Sequence, residues 1–297
     1  MAKPGGRHKW REALAGYGFM TPVILILGGF LLLPIGYSVF LAFHKVNLLG
    51  DVSYRFVGVA NFERMVDDPR LWIALRNTAK YALVVVPSQT LLALLLASIL
   101  NLNLRFRQFF RTAFYLPTVT SSAVLVLIFM WIYNANGLLN HALAALGLPT
   151  YNWLGDPAVA LTGIMLMNIW STAPLFMVVY LAALQDIPDA LYEAAELDGA
   201  NAWQKFWRIT VPMLRPVTFY VVVMGIIGTF QLFDQSYIFS AGSGGPNNAT
   251  LTMVLLIYQY AFKVLDMGYA SAIAFLLAVV IMIFTLVQRL IFREERY

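Results

Sequence analysis

The chain has 297 residues, 60% of them hydrophobic and only 12% charged, with a formal net charge of +5 and no cysteine. A soluble domain carries about 25% charged residues, so this composition is that of an integral membrane protein, and the missing cysteine excludes disulfide and thiol chemistry. The excess of 20 basic over 15 acidic residues does not point to nucleic acid, because the arginines are scattered between apolar stretches rather than gathered in one stripe.

Six apolar stretches, 17–43, 81–100, 116–133, 158–184, 217–233 and 268–291, come close to or exceed the roughly 20 residues a helix needs to cross a bilayer. They predict an all-α polytopic membrane protein with six transmembrane helices. The corresponding plan is a basic tail at 1–16, a first helix at 17–43, an outer segment at 44–80, a core at 81–292 and a short tail at 293–297. The first stretch follows Lys3, Arg7, Lys9 and Arg11 as a signal peptide would, but it is too long and lacks a small-x-small cleavage site, so it is expected to be retained. Within 44–80, Asp67-Asp68-Pro69 marks a turn or helix start. Asn152-Trp153-Leu154 reads as an interfacial anchor, since Trp favours the headgroup zone. The twelve apolar residues 251–262 fall short of a span and predict a helix on the outer surface or partly embedded.

Orientation follows from lysine and arginine. Lys3, Arg7, Lys9, Arg11, Arg105, Arg107, Arg111, Lys205, Arg208, Arg215, Arg289, Arg293 and Arg296 fall on one side of the six-span plan, and the other seven basic residues fall on the opposite side. The positive-inside rule therefore predicts that both termini are cytoplasmic.

Catalytic chemistry is hard to find. There is no G-x-x-x-x-G-K-[ST], so the chain does not hydrolyse ATP by the P-loop route. His8, His44 and His141 stand apart from one another, with no spacing suited to a metal site or a nucleophilic triad. Ion-coupled carriers bury ionisable residues in their spans, and here only Asp234, at the end of the fifth stretch, comes close. The energy for any transport must come from another chain.

The segment 186–212 is the exception to the apolar pattern. It holds Asp186, Asp189, Glu193, Glu196 and Asp198, five of the fifteen acids. Pro188 suits a first helical position, Gly199 can end a first short helix in the left-handed conformation, and Asn201 with Gln204 can form a capping box for a second. Leu191, Ala194, Ala195 and Asp198 share one face, on which two alanines allow close approach. The spacing Glu193-Ala194-Ala195, Gly199, then Ile209 and Pro212 resembles the EAA loop of permease subunits in binding-protein-dependent ABC importers, with Val211 where that family usually has leucine. Leu184-Gln185-Asp186-Ile187-Pro188 and Asp198-Gly199-Ala200 are similar to its carbohydrate-uptake branch, of the maltose and oligosaccharide type. The likeness extends from about Phe56 to the C-terminus. Ser240–Pro246 is similar to the outer glycine-proline turn of sugar permeases, though longer and richer in serine.

The resemblance implies a type I importer permease fold in the cytoplasmic membrane. It implies as partners a second permease subunit, an ATPase dimer that uses ATP and Mg, an extracytoplasmic sugar-binding protein, a sugar or oligosaccharide and the surrounding lipid. The chain itself would bind no cofactor or metal and would not be an enzyme. In that reading Glu193 is a charged contact to the ATPase, Ala194 and Ala195 with Asp198 form the packing face, Gly199 is the corner, and Ile209 and Pro212 complete the coupling motif. Two alternatives are an importer for a solute such as glycerol phosphate and an ion-coupled secondary transporter. The former should demand basic residues within the spans, which are absent; the latter lacks intramembrane charge and does not account for the hairpin.

A sugar path needs polar groups near mid-membrane. At 1.5 Å per residue, Ser122 lies roughly 16 Å from Arg111, Asn168 about 15 Å from the start of the fourth span and Thr229 about 20 Å from Pro216, all at similar depth. Thr118 and Ser122 are expected to share a face at i,i+4, Trp170 offers an aromatic plane, and Ser171 and Thr172 add hydroxyls beside Pro174.

Overall fold

A computed structural model describes residues 6–47, 51–102 and 105–291. Lys3 and the tail 293–297 with Arg293 and Arg296 lie outside the described residues. The chain opens with α1 (Gly6–Leu27), which passes through a wide π turn at Gly28–Leu32 into α2 (Leu33–Ala42). An antiparallel hairpin follows, β1 (His44–Asn47) with β2 (Ser53–Phe56), His44 opposite Phe56. Next come α3 (Ala60–Val66) and the long α4 (Pro69–Asn101). Asp68 caps α4 by accepting from the Arg70 amide at 2.9 Å, and Pro69 fills a position where no N–H is needed. The segment expected as an outer connection is thus largely built, and the second span begins twelve residues earlier than its apolar run.

Beyond α4 lie α5 (Arg107–Val119), α6 (Ser122–Ile132), α7 (Leu138–Ala145) and α8 (Ala160–Gln185). The 186–212 segment forms α9 (Asp189–Leu197), α10 (Ala202–Lys205), a π turn at Phe206–Thr210 and α11 (Val211–Met213). The chain then runs through α12 (Arg215–Phe230), α13 (Asp234–Phe239), α14 (Met253–Tyr258) and α15 (Met267–Ile291). Among the described residues, five helices are long and apolar enough to cross a membrane, and a sixth crossing exists if the bent pair α5 and α6 counts as one.

That bend corrects the straight third helix expected from sequence. α5 and α6 meet at 98°, and neither alone reaches the length of a span. Pro117 removes one helical hydrogen bond, and Thr120 Oγ1 bonds back to the Leu116 carbonyl at 3.1 Å. Thr120 and Ser121 then take extended backbone angles, ψ 138° and 135°. Thr118 and Ser122 consequently lie on opposite sides of a break and do not share a helical face, and the depth counted along a continuous helix from Arg111 to Ser122 does not apply.

The described chain forms two compact bodies. The first comprises Met1–Val66 and Tyr260–Phe275. In it, the buried Asn61 amide donates to the carbonyls of Ala42 at 2.9 Å and His44 at 3.2 Å. A Cβ on Gly268 would come within 2.0 Å of the His44 oxygen, so only glycine permits that approach. Arg64 pairs with Asp266 at 2.6 Å and lies over the Tyr269 ring at 4.0 Å.

The second body comprises Asp67–Gln259 and Leu276–Tyr297. Its centre is the pair α4 and α8, running side by side. Ala93, Ala97 and Leu100 pack in one cluster with Ala173, Met177, Tyr180 and Leu184, while Tyr81 and Val85 join Ile164 and Met167 in another. The order of these contacts makes the two helices parallel. Lipid tails are as apolar as these side chains, so close packing, helped by the small Ala93 and Ala97, holds the pair. α12 packs onto both: Tyr180 donates to Thr218 Oγ1 at 3.0 Å, and Gly225 faces Gln89 and Val86 of α4. One local expectation is corrected. Trp153 is buried rather than interfacial, because its ring stacks on Tyr133 and its Nε1 donates to Asn140 at 3.0 Å. Of the two readings of 251–262, the burial of Leu251, Met253, Leu255 and Leu256 favours the embedded one.

Candidate functional site

A cavity of about 290 Å³ lies among α4, α8 and α12. Its polar groups, Gln89, Asn168, Thr172 and Thr229, gather at one end. Leu175, Phe176, Val179, Tyr220 and Met224 line it toward the 186–212 hairpin, which follows α8 and precedes α12. No lining residue is charged.

The polar end is closely bonded. Thr172 Oγ1 lies 2.7 Å from both Gln89 Oε1 and the Asn168 carbonyl. The Gln89 side chain is only 2% exposed and comes from a different helix, so this contact ties α4 to α8. Its Nε2 fills the space above Gly225, where an added Cβ would stand 2.6 Å away. Asn168 Nδ2 donates to Gln235 Oε1 at 3.1 Å. The Thr229 hydroxyl donates within its own helix, to Gly225 O at 2.8 Å or Ile226 O at 3.0 Å, which leaves its lone pairs as acceptors. Amides and hydroxyls in an uncharged pocket can exchange hydrogen bonds with a neutral, hydroxyl-bearing solute and hold a charged one poorly.

The structure brings Asn168, Thr172 and Thr229 together but places the other expected path residues elsewhere. Trp170 sits against Phe129 of α6, ring centroids 5.5 Å apart, and does not line the cavity. Two residues along a helix from Asn168 is a turn of about 200°, which points it away. Ser171 is buried and donates to Asn168 O at 3.2 Å, while its own carbonyl lies 3.3 Å from Thr118 Oγ1. These two residues join α5 to α8 rather than face the cavity. Ser122 begins α6 just past the bend. Gln89 and Gln235 were missed, although each is a carboxamide beside a strongly apolar run.

The 186–212 segment forms a two-armed hairpin. Ala200 N donates to Ala195 O at 2.9 Å and Gly199 N to Glu196 O at 3.0 Å, the paired bonds of a Schellman ending, with Gly199 at φ 80°. Asn201 and Gln204 form the reciprocal capping box, both bonds at 2.9 Å. Glu196 and Lys205 pair across the arms at 2.5 Å, and Tyr192 and Thr210 hydroxyls meet at 2.9 Å. Asp198, Gly199, Lys205 and Arg208 line a hollow of about 310 Å³ between the arms, with Ala195 and Ile209 among its walls. Ile209 also packs against the Leu184 and Leu214 cluster, and Pro212 stands in the first turn of α11. Glu193 and Ala194 are exposed, as are Leu197 at 90% and Trp203 at 70%.

Residues 89–297 match the profile of the family described as binding-protein-dependent transport system inner membrane component. The chain is 35% identical over 285 residues to the lactose transport system permease protein LacF of Rhizobium radiobacter, covering 95% of each. It is 33% identical to the trehalose/maltose transport system permease protein MalF of Thermococcus litoralis, covering 97% of each. It is also 36% identical to the arabinooligosaccharides transport system permease protein AraP of Bacillus subtilis, covering 94% of this chain and 90% of that one. A chain of a bacterial alginate ABC transporter, crystallised with an alginate pentasaccharide-bound periplasmic protein, superimposes with a TM-score of 0.81 at 22% identity over 95% of each chain.

Proposed function

Because the chain belongs to the family of binding-protein-dependent transport system inner membrane components, we propose that it is the permease subunit of an ATP-driven importer for a neutral sugar or oligosaccharide. It forms half of the translocation path and works by alternating access. The observation that carries this reading is the uncharged cavity with amides and hydroxyls gathered at one end. Relatives named for lactose, trehalose/maltose and arabinooligosaccharides support the solute class. A phosphorylated solute is disfavoured, since no cation lines the cavity.

In this reading the hairpin lies in the cytoplasm and seats on a separate ATPase dimer, which binds ATP and Mg. The present chain is non-catalytic and holds no cofactor. Both termini are cytoplasmic, a second permease completes the path, and an extracytoplasmic sugar-binding protein delivers the solute to the opposite face. Glu193, Ala194, Ala195 and Asp198 form the contact, and the exposed Leu197 and Trp203 extend it with apolar area. Gly199 fixes the angle between the arms, while Ile209 and Pro212 root the hairpin in the membrane body. The test is a single cysteine placed by Leu197→Cys in this cysteine-free chain, treated with a short bifunctional cross-linker in the assembled complex. Cross-linking to the ATPase is expected. Cross-linking only to lipid-exposed helices, with none to the ATPase, overturns the coupling role.

A further inference from the structure

The bonding at the polar end continues past the cavity. Tyr81 Oη, from α4, lies 3.3 Å from Gln235 Oε1, the same oxygen that accepts from Asn168 of α8 at 3.1 Å. Tyr81 is fully buried and precedes Gln89 by eight residues, about 12 Å along α4 and away from the hairpin. Gln235 stands in the first turn of α13, just after α12 has ended and the helix is interrupted at Phe233, φ −131° and ψ −65°. Side chains from two helices thus converge on one oxygen of a third, beyond the end of the cavity remote from the hairpin.

We propose that Gln235 is the latch of the outer gate. Its Oε1 fastens the short α13 to α4 and α8 and closes the path above Asn168. A carboxamide oxygen has two lone pairs, and Tyr81 and Asn168 take both. A solute hydroxyl that arrives as a donor must displace either Tyr81 or Asn168 from it. Either exchange loosens α13, so the solute itself helps to open the latch. A three-residue interruption after α12 gives α13 a place to hinge. α13 is also tied to the outer turn, since Ser236 Oγ donates to the Thr250 carbonyl and Thr252 Oγ1 to the Leu232 carbonyl. A protein that presses on residues 240–252 therefore pulls on the latch.

This inference rests on the solute reading of the cavity, and one experiment separates the two. Thr229→Cys places a single thiol at the polar end, and the rate of its reaction with an impermeant maleimide added from outside is measured in the assembled complex. With the latch intact the reaction is expected to be slow. Gln235→Leu removes both bonds and should raise the rate about tenfold or more, and the milder Tyr81→Phe about threefold. Equal rates in Tyr81→Phe and the parent overturn the latch, even if Gln235→Leu fails to assemble. In the same preparation, protection of the thiol by a panel of maltooligosaccharides and arabinooligosaccharides is scored from the cytoplasmic side. Its absence removes the solute reading alone, whereas protection without any rate increase removes the latch alone.

Discussion

Gly225 is the point where α12 comes closest to the amide that binds α4 to α8. An alanine there would set its Cβ 2.6 Å from Gln89 Nε2, with Val86 Cγ1 at 3.4 Å behind it. Ordinary contact begins near 3.4 Å, so the amide must retreat by about 0.8 Å or α12 must move outward. Retreat breaks the 2.7 Å bond to Thr172. The lost hydrogen bond costs about 0.5–1.5 kcal/mol, and crowding a packed interface adds about 1–3 kcal/mol. Gly225→Ala should therefore destabilise the chain by about 2–4 kcal/mol and narrow the cavity where Gln89 and Thr172 face each other. Unfolding in detergent, followed for Gly225→Ala, Gln89→Ala and the double variant, gives the coupling between them. Removing the struck amide should relieve most of the cost of the alanine, leaving a non-additive term of about 1 kcal/mol or more. Additive losses would refute the argument that this glycine exists to admit Gln89.

A Cβ added at Gly199 would meet only open space, so a substitution there is strained by its backbone angle alone. Gly199→Val should cost about 1–2 kcal/mol locally and abolish solute-stimulated ATP hydrolysis in the assembled complex. Gly199→Asn, which tolerates the left-handed conformation, should retain most of it, and equal activity of the two variants would contradict the corner role. For topology, a cysteine at position 201 should react with an impermeant thiol reagent only when the cytoplasmic face is exposed; labelling from outside in sealed cells would invert the proposed orientation.

The hairpin was legible because its determinants are local. Gly199, Asn201 and Gln204 act on backbone groups within a few residues, so their meaning does not wait on the fold. Depth counting along continuous helices likewise brought Asn168 and Thr229 to one level, and they do line one cavity. The count failed where the helix was not continuous. Averaged over a span, α5 and α6 together are apolar enough to read as one helix, and only Pro117 with the hydroxyls at 118, 120, 121 and 122 signalled the bend. Trp153 was misread because an aromatic ring serves a packed neighbour as well as it serves a headgroup, and Tyr133 is that neighbour; Trp170 likewise rests on Phe129 rather than lining the cavity. Gln89 and Gln235 gain their meaning only from partners 83 and 67 residues away in sequence, which no local pattern encodes.

The central claim, that solute passes through the cavity among α4, α8 and α12, is tested most directly by uptake. The complex is reconstituted in vesicles with its partner permease, ATPase and binding protein, and ATP-driven accumulation of a radiolabelled oligosaccharide is compared for wild type and Asn168→Ala/Thr229→Val. Co-purification establishes that the variant assembles, and the separate binding protein's sugar affinity stays as it was. Loss of two hydrogen-bonding groups from the polar end should lower uptake about tenfold or more. Wild-type accumulation by the intact double variant would contradict the account and put the path elsewhere.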